Sequence, residues 1–399
     1  MESLTRAHLL PANTVMELPL LILPQVVLFP GETLPLRLWK LHHIRLVLAI
    51  ASAQRGGQAA FLGILNARFE SGRGTARVGC TCELVEMESE WDGHSAFVVQ
   101  TRGRQRFQFL DLDGDRNMET RHGVPHAHVR ILPEDCIIAP PRLPQWQRPL
   151  STAAIKQHQS MYWFRSSFLY APNLVQKAQG IIQSVAAWEG IMGASGLAFT
   201  RLLESQEGEG ERHGRGGEDI AGLTVEPVAF SFRLAANLPL DDIARQELLS
   251  MESAVYRLRK EIELLKNTAE RRLCCAGCDN PMASKDAVFS VPGAEGTVGA
   301  YSNPAGIVHQ TLTLRELLKG ADVGEEAVAL EGEPERDNSW FKGYAWTIAY
   351  CWRCSLHLGW LFTFCGESNE GEGVPLARFW GMRRPALKDE AVKFEEEGF

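Results

Sequence analysis

Ser339-Trp-Phe-Lys-Gly-Tyr-Ala-Trp-Thr-Ile-Ala-Tyr-Cys-Trp-Arg-Cys-Ser-Leu-His-Leu-Gly-Trp-Leu-Phe-Thr-Phe364 decides the architecture of the C-terminal third of this chain. Gly343, between Trp340 and Trp346, marks a bend. After it Trp346, Ile348 and Tyr350 share one face of a strand by the two-residue period. Trp360, Phe362 and Phe364 repeat that alternation on the next strand. Between the two strands stands Cys351-Trp-Arg-Cys354, a C-x-x-C pair matched upstream by Cys275-Ala-Gly-Cys278. Both sulfurs of such a pair reach one ion, and two pairs complete a tetrahedral thiolate set. Cys275, Cys278, Cys351 and Cys354 are therefore the expected ligands of one structural Zn2+, a closed set with no position open for catalytic water. The 72 residues between the pairs imply that the ion ties the two ends of a β-domain together. His357 is the alternative fourth ligand, and Cys274 and Cys365 read as packing residues.

Five of the ten tryptophans lie between Trp340 and Trp380, and two readings of them stand side by side. One is a plain aromatic core. The other is a rigid box that offers flat apolar walls to a ligand while backbone groups fix its orientation. A cation reader would use the same walls, with Asp337 as countercharge.

Upstream, a helix is expected over 242–267, because Ala244, Leu248, Met251, Val255, Leu258, Ile262 and Leu265 recur at spacings of four and three. Asp241 or Asp242 suits its N-cap. Residues 206–219 are Gly-rich and charged without one apolar side chain, which predicts a flexible loop. Residues 145–203 read as helices with loops, and Trp163, Phe164, Phe168 and Tyr170 there suit either a docking face or a core. From Leu18 onward short apolar segments alternate with turns: Leu20 to Phe29, Thr33 to Leu38, Phe61 to Leu65, Cys80 to Val85, Ala96 to Thr101, Phe107 to Leu112 and His128 to Leu132. One helix interrupts them over 37–54, and the whole suggests a partly closed barrel.

The chain has 399 residues, 23% of them charged and 45% hydrophobic, enough for two or three cores. A net charge of −8 gives no general attraction to nucleic acid. No apolar run is long enough for a membrane span, and 18–38 is broken by four prolines. Nine cysteines, an odd count, and no Asn-x-Ser/Thr acceptor favour a reducing intracellular compartment.

Leu18-Pro-Leu-Leu-Ile-Leu-Pro24, Val27-Leu-Phe-Pro-Gly-Glu-Thr-Leu-Pro-Leu36 and Gly103-Arg-Gln-Arg-Phe107 resemble the N-terminal domain of Lon proteases. Phe230-Ser-Phe-Arg-Leu-Ala-Ala-Asn-Leu-Pro-Leu-Asp-Asp242 fits that domain's connector. Ala300-Tyr-Ser-Asn-Pro304, Ser339 to Trp346, His357-Leu-Gly-Trp360 and Phe379-Trp-Gly381 resemble the thalidomide-binding domain of the cereblon family, whose domain order this chain follows. The resemblance covers about 17–140 and 225–385 and is weak between them. It implies an α+β multidomain fold: a Lon-N-like β-rich pseudo-barrel over 17–140, a helical segment over 141–268, and a zinc-bound all-β (β-tent) domain over 269–385. Residues 1–16 and 386–399 are expected as tails.

By that resemblance the protein is a non-catalytic substrate receptor of a cullin-4 RING ubiquitin ligase, cytoplasmic and nuclear. Its helical segment would dock the ligase adaptor, the damaged-DNA-binding protein subunit, and through it cullin-4. Trp340, Trp346 and Trp360 would wall a pocket for cyclic-imide degrons or thalidomide-like ligands, with Phe362 as floor and Asn303 on the approaching loop. Asn338 matches a family His that contacts ligand through its backbone, and Ala305 replaces a His of the animal form. The alternative function is a methyl-lysine or quaternary-ammonium reader without a ligase role. A Lon-type protease would need a G-x-x-x-x-G-K-[ST] phosphate loop, and the chain has none. The zinc domain also resembles zinc-containing methionine sulfoxide reductases, but Arg378-Phe-Trp380 stands where their nucleophilic Cys would be, and tryptophan forms no thiolate.

Overall fold

The computed structural model describes residues 9–38, 40–58, 60–67, 77–91, 95–110, 119–121, 123–134, 171–184, 226–268, 271–289, 298–303, 307–318, 327–366 and 376–391. The N-terminal part is a seven-stranded sheet. Its strands are β1 (Val15–Pro24), β2 (Thr33–Leu38), β3 (Leu62–Ala67), β4 (Val78–Trp91), β5 (Ser95–Phe109), β6 (Glu119–Arg121) and β7 (Val124–Ile131), with helix α1 (Leu41–Arg55) after β2. The order is β2-β5-β4-β3-β1-β7-β6, and the far end of β5 also pairs with β7, so the sheet curls into a partly closed barrel. Apolar side chains of β1 to β5 and the inner face of α1 (Ile44, Val47, Ile50, Ala51) fill one side. Leu18, Leu20, Phe107, Val129 and Ile131 fill the other.

Two expected strands, Ala96 to Thr101 and Phe107 to Leu112, are one continuous β5. Gly103-Arg-Gln-Arg-Phe107, which joins them, is part of the strand. Gly103 bonds across to the turn after β1, donating to Glu32 O at 2.9 Å and accepting from Gly31 N at 2.8 Å. A Cβ there would meet Phe29 O at 2.1 Å, so this approach requires glycine. The first strand also differs from the expected Leu20 to Phe29: it starts at Val15 and stops at Pro24, where Gln25 turns to φ 61°. The expected lead-in is fastened from Leu10, whose backbone exchanges hydrogen bonds of 2.7 and 2.9 Å with the Gln105 side chain.

Among the described residues four helices follow: α2 (Ala171–Ser184), α3 (Pro227–Asn237), α4 (Asp242–Ser250) and α5 (Ala254–Thr268). The single helix expected over 242–267 is thus two. The expected cap is present, Asp241 accepting from Ala244 N at 2.8 Å, and the apolar stripe is buried or packed on the core as its spacing requires. The chain nevertheless leaves helical geometry at Met251, and Ser253 accepts from Val255 N at 3.3 Å at the start of α5. Two arginines from elsewhere stabilise the break. Arg106 of β5 donates to Leu249 O and Met251 O at 2.9 and 2.7 Å, and Arg257 donates to Met251 O at 3.2 Å. Carbonyls that a helix would bond internally are held by guanidinium groups instead. The segments 141–170 and 185–225, including Trp163, Phe164, Phe168, Tyr170 and the loop 206–219, lie outside the described residues.

The C-terminal part holds a six-stranded antiparallel sheet, β10 (Val298–Ser302), β11 (Val308–Leu314), β15 (Arg378–Arg383), β14 (His357–Phe364), β13 (Tyr344–Cys351) and β12 (Val328–Glu335) in that order. A three-stranded sheet stands beside it: β16 (Leu387–Ala391), β8 (Arg271–Cys275) and β9 (Pro281–Ser284). Residues 387–391, expected in a tail, pair along the whole of β8 next to the first cysteine knuckle. Asp389 of β16 is held by Lys285 and Arg384, both at 2.6 Å.

One hydrophobic cluster joins Val27 and Phe29 of the barrel, the helices, and Leu273, Met282, Leu312 and Trp380 of the C-terminal part. Ala300 and Val308 pack into the barrel's own core. Among the described residues no helix is long and apolar enough to cross a membrane. Arg245 of α4 pins barrel to helices: its Nη2 meets both Glu32 carboxylate oxygens at 2.6 and 2.8 Å and Val27 O at 2.9 Å, and its guanidinium lies 4.7 Å from the Phe29 ring centre. Both side chains are buried, so removing one leaves the other's charge uncompensated. Glu32→Ala is expected to cost about 3–5 kcal/mol, read as a lower urea midpoint. The double variant with Arg245→Met should lose less than the sum of the single losses.

Candidate metal centre and aromatic cavity

The two C-x-x-C segments fold into the same turn. In the first, Asp279 N donates to Cys275 O and Cys275 N to Asn280 O; in the second, Ser355 N donates to Cys351 O and Cys351 N to Leu356 O. Asp279 and Ser355, each just after the second cysteine, adopt φ of 64° and 58°. Backbone N–H groups of Gly277 and Cys278 point at the Cys275 sulfur, that of Asn280 at Cys278 and that of Leu356 at Cys354. Burial pushes the Cys275 thiol up to about 12, whereas the Leu356 N–H draws that of Cys354 down.

Together the turns bring all four sulfurs within 4.8 Å of one another. Cys275 and Cys354 are 3.6 Å apart, as are Cys278 and Cys351. A tetrahedral zinc with bonds of about 2.3 Å sets its sulfurs about 3.8 Å apart, so the set fits one ion of that kind. Gly277 matters here, since a Cβ on it would sit 3.3 Å from the Cys354 sulfur. None of the eight described cysteines is in a disulfide. His357 does not join them. Its Nε2 lies 3.2 Å from Gly359 O and its Nδ1 3.4 Å from Arg383 Nη1, so Nε2 carries the proton and the ring serves the cavity wall instead. Cys274 is buried and donates to Glu390 at 3.1 Å; Cys365 donates to Gly343 O at 3.5 Å.

The strands on either side of the second knuckle carry the aromatic side chains. Register sets Trp346 opposite Phe362 and Ile348 opposite Trp360, so the four share one face. Trp340 arrives from the turn before β13 and meets Trp360 edge-on at 4.6 Å between ring centres. Behind it Tyr301 stacks at 5.1 Å and 13°. Trp360 is clamped further by His309 at 5.1 Å and His357 at 4.9 Å, both edge-on. Phe362 is fully buried and stacked on Phe379 at 5.2 Å. Two glycines permit this packing: a Cβ on Gly381 would come within 2.6 Å of the Phe362 ring, and one on Gly359 within 2.1 Å of Gly381 O.

The result is an open cavity of about 520 Å³. All six residues expected at a ligand site, Asn303, Asn338, Trp340, Trp346, Trp360 and Phe362, line it. Asn303 braces the start of its loop, its Oδ1 accepting from Ile307 N at 2.9 Å; Ala305 lies outside the described residues. Asn338 sits at φ 58°, a left-handed conformation that asparagine tolerates better than most side chains. Trp346 is oriented by its indole N–H, which donates to Asp337 O at 2.9 Å. Asp337 thus contributes a carbonyl, and the carboxylate at the cavity is Glu335. His309, Glu335, Ile348 and His357 complete the lining and were not singled out for it from the sequence. Ile348 was legible in principle, two residues beyond Trp346, whereas Glu335 faces Trp346 across a pairing whose register shifts between Glu331 and Glu335. The histidines are set by strand pairing alone. Trp380 is buried in the core.

Among the described residues that line the cavity Glu335 is the one carboxylate, and both histidines are pushed toward the neutral form. Burial, then Arg383 and His357, lowers the His309 pKa to about 4; burial, then Arg383, lowers that of His357. Between about 4 and the ordinary 6.5 the unfolded chain binds more protons at His309 than the folded one does. That contribution therefore makes stability fall as pH drops through this window and leaves it unchanged above about 7. Thermal unfolding from pH 4.5 to 8 should show a shallower acid loss in His309→Gln. For the metal centre, Cys278→Ser is expected to lose one equivalent of bound metal per chain by elemental analysis and to lower the melting temperature.

Comparison with known proteins places these features. Residues 17–267 match the family model of the ATP-dependent protease La (LON) substrate-binding domain. Protein cereblon of Danio rerio is 31% identical over 96% of this chain and 83% of its own length. Protein cereblon of Gallus gallus is 30% identical over 95% and 79%. A Lon N-terminal domain protein from Xanthomonas campestris, at 19% identity, superposes over 62% of this chain and 98% of its own with a TM-score of 0.35. The cereblon matches extend through the cysteine-containing part, which the Lon family match does not reach.

Proposed function

This chain belongs to the cereblon family and carries a Lon substrate-binding domain, and from that premise we propose that it is the substrate receptor of a cullin-4 RING ubiquitin ligase that captures cyclic-imide ligands in its aromatic cavity. The observation that carries the reading is that three indoles and Phe362 all line one open cavity of about 520 Å³. An imide ring has two apolar faces to stack and an edge of carbonyl and N–H groups. The indoles supply the faces. The turn at Asn338 would supply backbone groups along one side, and the neutral histidines add no charge that an uncharged ring would have to desolvate. The cavity volume suits a small ligand.

The chemistry proposed is presentation. The four-cysteine centre would hold zinc as a structural ion, with no part in a reaction. The helical segment would dock the ligase adaptor, so that a captured protein stays near the ubiquitin carrier at high effective concentration. The receptor would act in cytoplasm and nucleus.

A second reading has an observation of its own, because Glu335 beside three indoles is also what a quaternary-ammonium reader would use. Calorimetry separates the two. Glutarimide is expected to bind and a trimethyl-lysine peptide not to bind, with Trp360→Ala weakening the imide by more than about tenfold. Preference for the peptide would overturn the imide reading. Co-purification of the ligase adaptor with the full chain tests the ligase role, and its absence under mild conditions would remove it.

A further inference from the structure

Ten described residues line the cavity, and Glu335 is the one carboxylate among them. It is the last residue of β12, the exposed edge strand, and its register partner across the sheet is Trp346. Its carboxylate is solvent-exposed at the cavity mouth and, among the described residues, has no ion pair or hydrogen bond to another side chain. Arg383 is engaged by His357, its Nη1 lying 3.4 Å from Nδ1 and donating to the backbone carbonyl at 3.1 Å. The imide ring itself has no use for a carboxylate. Its polar edge is satisfied by backbone groups, and a bare anion beside a carbonyl edge is mildly repulsive.

We infer that Glu335 is a specificity residue, selecting cyclic imides that carry a cationic group just outside the ring. The cation sits at the mouth between the Glu335 carboxylate and the half-exposed face of Trp346, while the ring occupies the indole walls. Two interactions favour it there. One is the charge pair with Glu335, and the other is attraction to the negative face of the indole, which the Asp337 carbonyl holds in place. For a protein-borne imide, this means a chain end whose neighbouring side chain is Lys or Arg rather than Asp or Glu. The inference rests on the imide reading proposed above and narrows its substrate class.

The test uses the full chain and three glutarimides that differ in one ring substituent of matched length, ending in a primary ammonium, a neutral amide or a carboxylate. Calorimetry at low salt is expected to rank them ammonium, amide, carboxylate, with the first about fivefold tighter than the second. In Glu335→Gln the ammonium-to-amide ratio should fall toward one, and in high salt it should shrink in the unaltered chain. Glu333→Gln, on the same strand but off the cavity, should keep the ratio, which separates a local contact from a diffuse acidic field. Equal affinity for ammonium and amide, or a preference that survives Glu335→Gln, overturns the inference while leaving the imide reading intact. If none of the three binds, the imide reading falls and this inference falls with it.

Discussion

Four sulfur atoms drawn from two turns 72 residues apart must meet at one point, and the cavity inherits its shape from that requirement. β13 runs into the second turn and β14 runs out of it, so the turn sets the register that faces Trp346 and Ile348 with Phe362 and Trp360. The first turn belongs to the other sheet, between β8 and β9, with β16 on the far side of β8. An ion shared by both turns would therefore lock the two sheets together. Thiols packed this closely hold no strong bond to one another. A cation bound to the four thiolates replaces weak contacts with coordination bonds, and its binding free energy becomes folding free energy for this part of the chain.

The aromatic wall shows a second constraint, that of keeping large flat rings from filling their own cavity. Trp340 is held back by stacking on Tyr301, Trp346 by its indole hydrogen bond to Asp337, and Trp360 by His309 and His357 on its edges. Phe362 is fixed from behind by Phe341 and Phe379. Each ring is thus held by a neighbouring group, His309 and His357 being part of the lining themselves, and the wall is organised before any ligand arrives, so little side-chain freedom remains to be lost on binding. Buried arginines do the corresponding work between the parts. Arg245 joins α4 to the turn after β1, and Arg106 joins β5 to the bend between α4 and α5. Arg257 bridges to α3 through Ser231, which in turn donates to Glu261, whose carboxyl burial pushes up to about 8.

Much of this was legible beforehand, for reasons that differ by residue. The cysteine spacing was readable because a C-x-x-C turn is local and its geometry hardly depends on context. The two-residue alternation of Trp346 with Ile348, and of Trp360 with Phe362, was readable because strand faces follow from chain direction alone. The specific pocket residues came from the family resemblance, since composition left an aromatic core equally open. What escaped was whatever a distant partner had to supply. The break at Met251 follows from Arg106, which reaches it from a strand about 145 positions earlier. The passage of β5 through Gly103 follows from the close approach of Phe29 O, and the role of residues 387–391 from pairing with β8.

By itself, then, the order of amino acids determined periodicity, caps and turns: which faces are apolar, that Asp241 or Asp242 starts a helix, and that four cysteines come in two equivalent knuckles. These depend on neighbours within a few residues, where backbone geometry restricts the choices. Only the tertiary structure decided that a seven-stranded sheet closes through β5 and β7, that His357 joins the cavity rather than the metal centre, and that Glu335 rather than Asp337 places its carboxylate at the mouth. Each of those turns on which of two nearby groups finds a partner first, and the partner comes from another strand.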